Sequence, residues 1–112
     1  ILASDALCEL VKQKNIGLTV CPVSNQFVVQ SLTSIEIKDM LKRGLMPTIN
    51  SDDPSYFRAY LNENLIALQQ EGGFSEDELS TLVANSFKAS WLSTPEKEQY
   101  LAGLNDYLAK CA

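Results

Sequence analysis

The sequence predicts an α/β fold in which two parallel strands, joined through a helix, are followed by helices only. The runs GLTVCPV and LMPTIN are short, apolar and rich in β-branched residues, which is typical of buried strands. The segment IEIKDMLKR between them has apolar residues at helical spacing. A strand–helix–strand order is typical of a β-α-β unit, so we expect parallel strands and a right-handed crossover.

The N-terminal elements have start and stop signals. Ser4 can cap a first helix over ASDALCELVKQKN, and Asn15 and Gly17 end it. The first strand, GLTVCPV, is closed by Pro22. The segment SNQFVVQSL that follows is predicted to be a loop.

The second helix and strand complete the β-α-β unit. Thr33 and Glu36 predict a capping box for IEIKDMLKR, and Gly44 is its C-terminal stop. The second strand, LMPTIN, then ends at SDDP. Both strands are apolar along much of their length, so we expect a sheet that is covered on both faces.

The chain after Pro54 is predicted to be helical to its end. One long helix, SYFRAYLNENLIALQQE, carries an apolar stripe, and Gly72 and Gly73 end it. Ser75 and Glu78 predict a capping box for EDELSTLVANSFKASWL. A last helix, EKEQYLAGLNDYLAK, is predicted to start at Thr94-Pro95 or at Ser93. We expect packing roles for four aromatic residues of this region: Tyr56, Phe57, Tyr60 and Trp91. For Tyr56 or Phe57, a position at the mouth of a site is an alternative.

The composition is that of an ordinary globular domain with an acidic balance. The chain has 112 residues, enough for one domain, and nine basic against fourteen acidic residues give a net charge of −5. Nucleic acid and anionic membranes require a basic surface, so neither is expected as a partner. No apolar run approaches the roughly 18 residues of a membrane helix, and the start ILASDALCEL lacks the features of a signal peptide.

The three cysteines, Cys8, Cys21 and Cys111, are widely spaced and form no CxxC pair. An odd, scattered set fits neither a disulfide framework nor a zinc knuckle, so we predict free, buried thiols in a cytoplasmic protein. Cys21, in an apolar run, is expected in the core rather than as a nucleophile. Histidine is absent, so this chain supplies neither a histidine base nor a histidine metal ligand.

A sheet of two strands leaves two open edges and is rarely stable alone. The chain also begins at Ile1 rather than at a methionine. We therefore expect it to be a piece of something longer. Either the remainder of a larger sheet or self-association should cover the strand edges.

The motif SDDP allows a local and a chemical interpretation. Asp53 can cap the helix that begins at Pro54, which by itself accounts for this residue. Asp52 has no such local role, and a carboxylate at the end of a strand can hold a metal or a substrate proton. Asp52 is therefore the stronger candidate for a functional residue.

Three segments, LTVCPVSN, TINSDDPSYF and FSEDELSTLVANSFKASWL, resemble the C-terminal part of the adenosine/adenine deaminases. These enzymes are zinc hydrolases on a (β/α)8 barrel within the amidohydrolase superfamily. The resemblance implies that residues 1–112 are the C-terminal part of a single metal-dependent deaminase barrel domain, with barrel strands seven and eight. Active sites of such barrels lie at the carboxyl ends of the strands, where CPVSN and SDDP both fall.

The resemblance also implies roles for single residues. Asp52 resembles the family's metal-binding aspartate, which also helps to handle the proton of the attacking water, and Asp53 resembles the aspartate that hydrogen-bonds a ring nitrogen of the purine. Ser24 and Asn25 would lie at the mouth of the site without an assigned role. The implied cofactor is one Zn²⁺ per complete site, with its remaining ligands outside this chain, so the chain alone is expected to be inactive.

The implied reaction is the hydrolytic deamination of a 6-aminopurine. DDPSYF and NSFKASWL look more like the adenine deaminase branch, which implies conversion of adenine to hypoxanthine and ammonia. Adenosine as the substrate is an alternative. So are a non-catalytic helical interaction domain, in which SDDP is only a turn and a cap, and a degenerate member of the family that binds nothing.

Overall fold

The computed structural model describes residues 1–111. Two strands and seven helices follow one another in this part of the chain: α1 (Asp5–Gln13), β1 (Gly17–Val20), α2 (Pro22–Val29), α3 (Ser34–Lys42), β2 (Met46–Ile49), α4 (Pro54–Phe57), α5 (Leu61–Gln70), α6 (Glu76–Ala89) and α7 (Thr94–Cys111). None of the described helices has the length and apolar content needed to span a bilayer.

The strands β1 and β2 form a two-stranded parallel sheet, which confirms the predicted pairing. Gly17 pairs with Met46, and Val20 pairs with Ile49. The backbone N–H of Asn50 donates to the Val20 carbonyl at 2.9 Å, so the contact between the strands extends one residue beyond β2. The carboxyl ends of the two strands therefore lie side by side.

The main hydrophobic core packs on this sheet. Val20 and Ile49 contact a cluster contributed by α3, α5 and α6, in which Ile37, Leu68 and Leu82 are completely buried. Burial of one such aliphatic side chain contributes about 1.5–3 kcal/mol to folding. This cluster therefore holds the three helices against the strands and fixes the loops that leave their carboxyl ends.

The other face of the sheet is polar. Side chains alternate between the two faces along a strand, and Thr19, Thr48 and Asn50 help to line a cavity of about 650 Å³. Thr19 is exposed and Thr48, its partner on the same face, is buried, so the described residues cover this face only in part. The expectation of a sheet covered on both faces stays a prediction for the complete barrel.

The segment after β1 is a helix, α2, and the predicted loop is wrong. Proline is favoured in the first turn of a helix, and Pro22 occupies it here. The Asn25 side-chain Oδ1 accepts a hydrogen bond from the Cys21 backbone N–H at 3.2 Å, which satisfies a donor at the helix start. The large apolar side chains near the end of α2 are exposed, so the segment lacks the periodicity that indicates a helix.

The predicted capping box at Thr33 is not formed. Thr33 has a left-handed backbone with a φ of 57°, and its side chain makes no capping hydrogen bond. Its hydroxyl donates instead to the Leu32 carbonyl at 2.7 Å. Threonine hydroxyls compete in this way for nearby backbone groups. Gly44, with a φ of 71°, follows the helix as predicted.

The predicted long helix after Pro54 is divided into α4 and α5. Arg58, with a left-handed φ of 54°, ends α4. α5 then begins with a cap of its own, because the Glu63 carboxylate accepts a hydrogen bond from the Tyr60 backbone N–H at 2.9 Å. The break changes which residues face the core, and Leu61 is exposed.

The capping box of α6 is confirmed. The Glu78 N–H donates to Ser75 Oγ at 3.2 Å, and the Ser75 N–H donates to the Glu78 carboxylate at 2.9 Å. The last helix begins at Thr94, within the predicted range. Trp91 is fully exposed, so its predicted packing role is wrong; α6 ends at Ala89, and Trp91 lies in the connection rather than on a helix face.

Candidate active site

The two adjacent carboxylates directly follow the second strand. β2 ends at Ile49, and both Asp52 and Asp53 are exposed. Asp52 has a φ of 58°, in the left-handed region that aspartate tolerates better than most residues. Unusual backbone conformations of this kind are concentrated at functional sites. Here the conformation occurs at Asp52, for which the sequence suggests no local structural role.

Asp53 occupies the N-cap position of α4, but its side chain makes no capping hydrogen bond. Pro54 is in the first turn, and the Asp53 backbone carbonyl accepts from the N–H groups of Tyr56 and Phe57, each at 3.0 Å. The interpretation of the Asp53 side chain as a helix cap is therefore wrong. Its carboxylate is not used by the helix start that follows it.

The structure brings Ser24 and Asp52 together across a sequence separation of 28 residues. Ser24 Oγ donates a hydrogen bond to Asp52 Oδ2 at 2.7 Å, and Ser24 is only 4% exposed. A hydrogen bond to an ionised carboxylate is stronger than one between neutral groups. The first turn of α2, after β1, and the turn after β2 are thus joined at Asp52, the strongest candidate for a functional residue.

Asn64 supports this contact and lies outside the set of site residues predicted from the sequence. It is completely buried, and its side-chain Oδ1 accepts from the Val23 backbone N–H at 3.0 Å. Its Nδ2 donates to the Tyr60 carbonyl at 2.8 Å. Asn64 therefore holds the first turn of α2, which carries Ser24, against the start of α5. The sequence contains one indication of this role: Asn64 lies four residues before the buried Leu68, and therefore on the same face of α5.

A cavity of about 440 Å³ lies beside Asp52 at the carboxyl ends of the strands. Its volume is within the range of cavities that hold small organic molecules. Residues from both strands and from α5 line it: Thr19, Cys21, Ile49, Asn50, Ser51, Asp52 and Leu61.

Cys21 lies in this cavity and is half-buried. Burial raises the pKa of the Cys21 thiol, the nearby Asp52 carboxylate raises this pKa further, and the Asp52 backbone N–H lowers it. The thiol therefore stays protonated at neutral pH, which makes it a poor nucleophile. All three cysteines are free, as predicted, but only Cys8 is buried and Cys111 is exposed.

The aromatic residues near the acids differ in their surroundings. Phe57 is half-buried and contacts Phe27 with ring centroids 5.3 Å apart, as expected of a packing residue. Tyr56 and Tyr60 are 79% and 62% exposed, so their predicted packing roles are wrong. The left-handed turn at Arg58 interrupts the helix face on which they were expected to lie.

A metal site is not completed by the described residues. Within residues 1–111, no three histidine, cysteine, aspartate or glutamate side chains lie close enough together to hold an ion. Asp52, beside the cavity, combines an exposed carboxylate with a fixed hydrogen-bond partner. It could therefore supply one ligand to a site that other residues complete.

Known proteins match nearly the whole chain. The adenosine deaminase family profile matches residues 1–107. The adenine deaminase of Hahella chejuensis is 44% identical over 105 residues, which are 92% of this chain and 31% of that protein. The adenine deaminase of Crocosphaera subtropica is 48% identical over 95 residues, which are 83% of this chain and 29% of that protein.

Two solved structures share the fold. The crystal structure of adenine deaminase from Arthrobacter aurescens superposes with a TM-score of 0.87 at 32% identity, and covers 96% of this chain and 34% of its own. An amidohydrolase from Burkholderia ambifaria, solved with bound Zn, superposes with a TM-score of 0.79 at 21% identity and covers 99% of this chain and 33% of its own. The second likeness is evidence for the fold alone.

These matches confirm the predicted α/β fold as the C-terminal portion of a (β/α)8 barrel, with two parallel strands and the helices that accompany and follow them. The chain spans about a third of the length of the relatives it matches. The family profile covers far more than half of the chain, and the sequence motifs and the fold agree with it. The chain therefore belongs to the adenosine deaminase family.

Proposed function

We propose that residues 1–112 are the C-terminal part of a single metal-dependent deaminase barrel domain, and that the complete protein hydrolyses adenine to hypoxanthine and ammonia. The position of Asp52 and Asp53 carries this proposal, because both follow β2 and Asp52 lines a cavity there. Active sites of (β/α)8 barrels lie at that end of the strands. The relatives named as adenine deaminases support adenine, rather than adenosine, as the substrate.

Asp52 is suited to be one zinc ligand. Carboxylate oxygens bind zinc, and catalytic zinc sites keep three protein ligands with one open position. Ser24 holds Oδ2 of Asp52, and Oδ1 accepts no hydrogen bond from the described residues. The remaining zinc ligands would come from outside this chain, since residues 1–111 contain no cluster of three ligands.

Bound zinc supplies one kind of chemistry: it lowers the pKa of a coordinated water, so that a hydroxide nucleophile is available near neutral pH. The Asp52 carboxylate also accepts a hydrogen bond from the attacking water and keeps it directed at C6 of the purine. The water oxygen forms a bond to C6, and the bond between C6 and the amino nitrogen breaks. One proton of the water is transferred to N1 of the ring and the other to the amino nitrogen, which leaves as ammonia, so that hypoxanthine remains.

Asp53 orients the substrate. Its side chain makes no capping bond, so the carboxylate is available to accept a hydrogen bond from a ring N–H of adenine. Holding the ring in one orientation places C6 next to the nucleophile, and such positioning accounts for a large part of the rate of many enzymes. Asp52 and Asp53 thus have separate tasks although they are adjacent.

The partners of this chain follow from the same proposal. The substrate is a small purine, and the net charge of −5 does not favour nucleic acid. The open edges of β1 and β2 pair with neighbouring strands of the complete barrel. If the chain is produced alone, self-association would cover these edges, and neither zinc retention nor deamination is expected of it.

The test is a deaminase assay on the complete protein that carries this chain, with adenine and adenosine offered separately and the products separated by chromatography. We expect hypoxanthine and ammonia from adenine, and no inosine from adenosine. Asp53→Asn should lower kcat/KM for adenine by about a hundredfold, the size of effect that loss of substrate positioning produces. Asp106→Asn, on the exposed surface of α7, is the matched control and should leave turnover unchanged.

Two results would contradict the proposal. Turnover of adenosine without turnover of adenine would assign the other substrate. A zinc-loaded protein that turns over neither purine would exclude the deaminase function and favour a non-catalytic interaction domain.

A further inference from the structure

We infer that Ser24 is a positioning residue for Asp52: its hydroxyl holds Oδ2 and thereby leaves Oδ1 as the atom that binds the metal. The inference rests on the proposed function of Asp52 as a zinc ligand. Its basis is the 2.7 Å hydrogen bond from Ser24 Oγ to Asp52 Oδ2. No role for Ser24 follows from its sequence context, so this contact is a finding of the structure.

Asp52 needs such a partner because little else in the described structure restrains its carboxylate. The residue is exposed, and its left-handed backbone lies in a turn rather than in a strand or helix. The terminal torsion of an aspartate side chain is broad and nearly two-fold, so its two oxygens exchange easily when neither is held. Fixing Oδ2 makes the two oxygens inequivalent and gives the metal one ligand atom in one place.

The donor itself is held in position. Ser24 is 4% exposed and lies in the first turn of α2. The N–H groups of that turn are held from both sides: Asn64 accepts from Val23, and Asn25 accepts from Cys21. A metal ligand whose orienting partner is itself hydrogen-bonded is pre-organised, and loss of such a partner typically lowers metal affinity 10–100-fold.

The experiment measures zinc rather than activity alone. The complete protein is loaded with zinc, and the rate of zinc loss to an excess of chelator is followed for the wild type, Ser24→Ala and Ser80→Ala. We expect Ser24→Ala to lose zinc about tenfold faster or more. Ser80→Ala is the matched control, because the Ser80 hydroxyl bonds only to a carbonyl of its own helix, at 2.7 Å. It should lose zinc at the wild-type rate.

A double-mutant cycle separates positioning from a general structural role. The cycle uses the zinc dissociation constant, obtained by titration with excess zinc, because Asp52→Asn is not expected to retain the ion on purification. If Ser24 acts through Asp52, Ser24→Ala should not raise this constant further in an Asp52→Asn background. A purely structural serine would raise it in both backgrounds. In steady-state assays at saturating zinc, KM for adenine should stay within about twofold, since the substrate-facing Asp53 is unchanged, while kcat falls.

If Ser24→Ala does not fold, Ser24→Cys serves instead, because the thiol has a similar size but is a weak donor. It should lose zinc faster than the wild type. Wild-type zinc retention in the folded serine variant would overturn the inference while the deaminase proposal stands. A wild-type protein that neither holds zinc nor deaminates adenine would overturn both.

Discussion

The side chain of Asn64, completely buried, accepts a hydrogen bond from the backbone N–H of Val23, which precedes it by 41 residues. This contact joins α5, which follows the acidic motif, to the first turn of α2, which follows the other strand. Its second bond, from Nδ2 to the Tyr60 carbonyl, fixes the orientation of the amide. Besides the contact between Ser24 and Asp52, a polar residue in the core therefore holds together the two segments that form the candidate active site.

Replacing Asn64 should destabilise the protein and disturb the site. Asn64→Ala leaves the Val23 N–H without its partner, while the Tyr60 carbonyl keeps the bond from the backbone N–H of residue 64. An unsatisfied buried group costs about 1–3 kcal/mol of the free energy of unfolding. Asn62→Ala, two residues away and exposed, is the control and should have little effect. Denaturant unfolding of the complete protein measures both. Equal stability of the two variants would show that the Asn64 bonds contribute nothing.

The close packing of β1 against α6 leads to a second prediction. A Cβ atom added to Gly17 would lie 2.5 Å from the Cβ atom of Ala89. Gly17→Ala should therefore lower the free energy of unfolding by about 1–3 kcal/mol, as overpacking does. Gly103→Ala, in α7 with nothing within 4 Å of the added atom, should instead raise it by about 0.5–1 kcal/mol.

A compensating change tests the Gly17 contact itself. In an Ala89→Gly background, Gly17→Ala should cost less than it does in the wild type, because the facing methyl group is gone. The unfolding midpoints of the wild type, the two single variants and the double variant measure this coupling. If Gly17→Ala lowered the free energy of unfolding equally in both backgrounds, Gly17 would be needed for a reason other than this contact.

The capping box of α6 should make stability depend on pH. The backbone N–H of Ser75 lowers the pKa of Glu78 from its usual 4.5, and Lys38 lowers it further, while burial opposes them. The unfolded chain therefore binds this proton at a higher pH than the folded one. The stabilisation by Glu78 is present above the usual pKa and is lost as the pH falls through the lower folded pKa.

Glu78→Gln measures this contribution. The variant should be less stable than the wild type at neutral pH, and the difference should shrink as the pH is lowered below 4.5. Glu9→Gln, on the exposed part of α1, is the control and should show a much smaller change. A difference that is independent of pH would contradict the stated role of the Glu78 charge.

The three thiols should react with alkylating reagents at different rates. Cys111 is exposed, Cys8 is buried, and Cys21 is half-buried with a raised pKa. At neutral pH, Cys111 should be modified first and Cys21 much more slowly, since the thiolate is the reactive form. Mass spectrometry of digested samples gives the order. Modification of Cys21 as fast as Cys111 would contradict a protonated thiol beside Asp52.

Elements with local signals were predictable from the sequence. The two strands, the capping box of Ser75 and Glu78, and the helix stop at Gly44 depend on residues close together in the chain, and all are observed. The acidic pair could be singled out for a similar reason. Asp52 has no local task in its turn, and the resemblance of SDDP to a family motif depends on contiguous residues.

Features that depend on distant contacts could not be predicted. α2 could not be recognised from the sequence, because its apolar residues near the C-terminus are exposed and its start depends on a hydrogen bond that the Cys21 N–H donates to the Asn25 side chain. The break between α4 and α5 depends on a left-handed residue, Arg58, of a type that rarely marks one. The bond from Ser24 to Asp52 joins the ends of two strands, so it becomes visible only once the sheet is formed.

The most direct test of the account is the zinc content of the complete protein with and without the Asp52 carboxylate, measured by elemental analysis of folded, purified samples. Asp52→Asn is the appropriate variant, because asparagine also tolerates the left-handed backbone at this position, where φ is 58°. We predict about one zinc per wild-type chain, as one catalytic site requires, and loss of both zinc and hypoxanthine formation in Asp52→Asn. An Asp52→Asn protein that retains zinc and deaminates adenine at the wild-type rate would contradict the central role assigned to this residue.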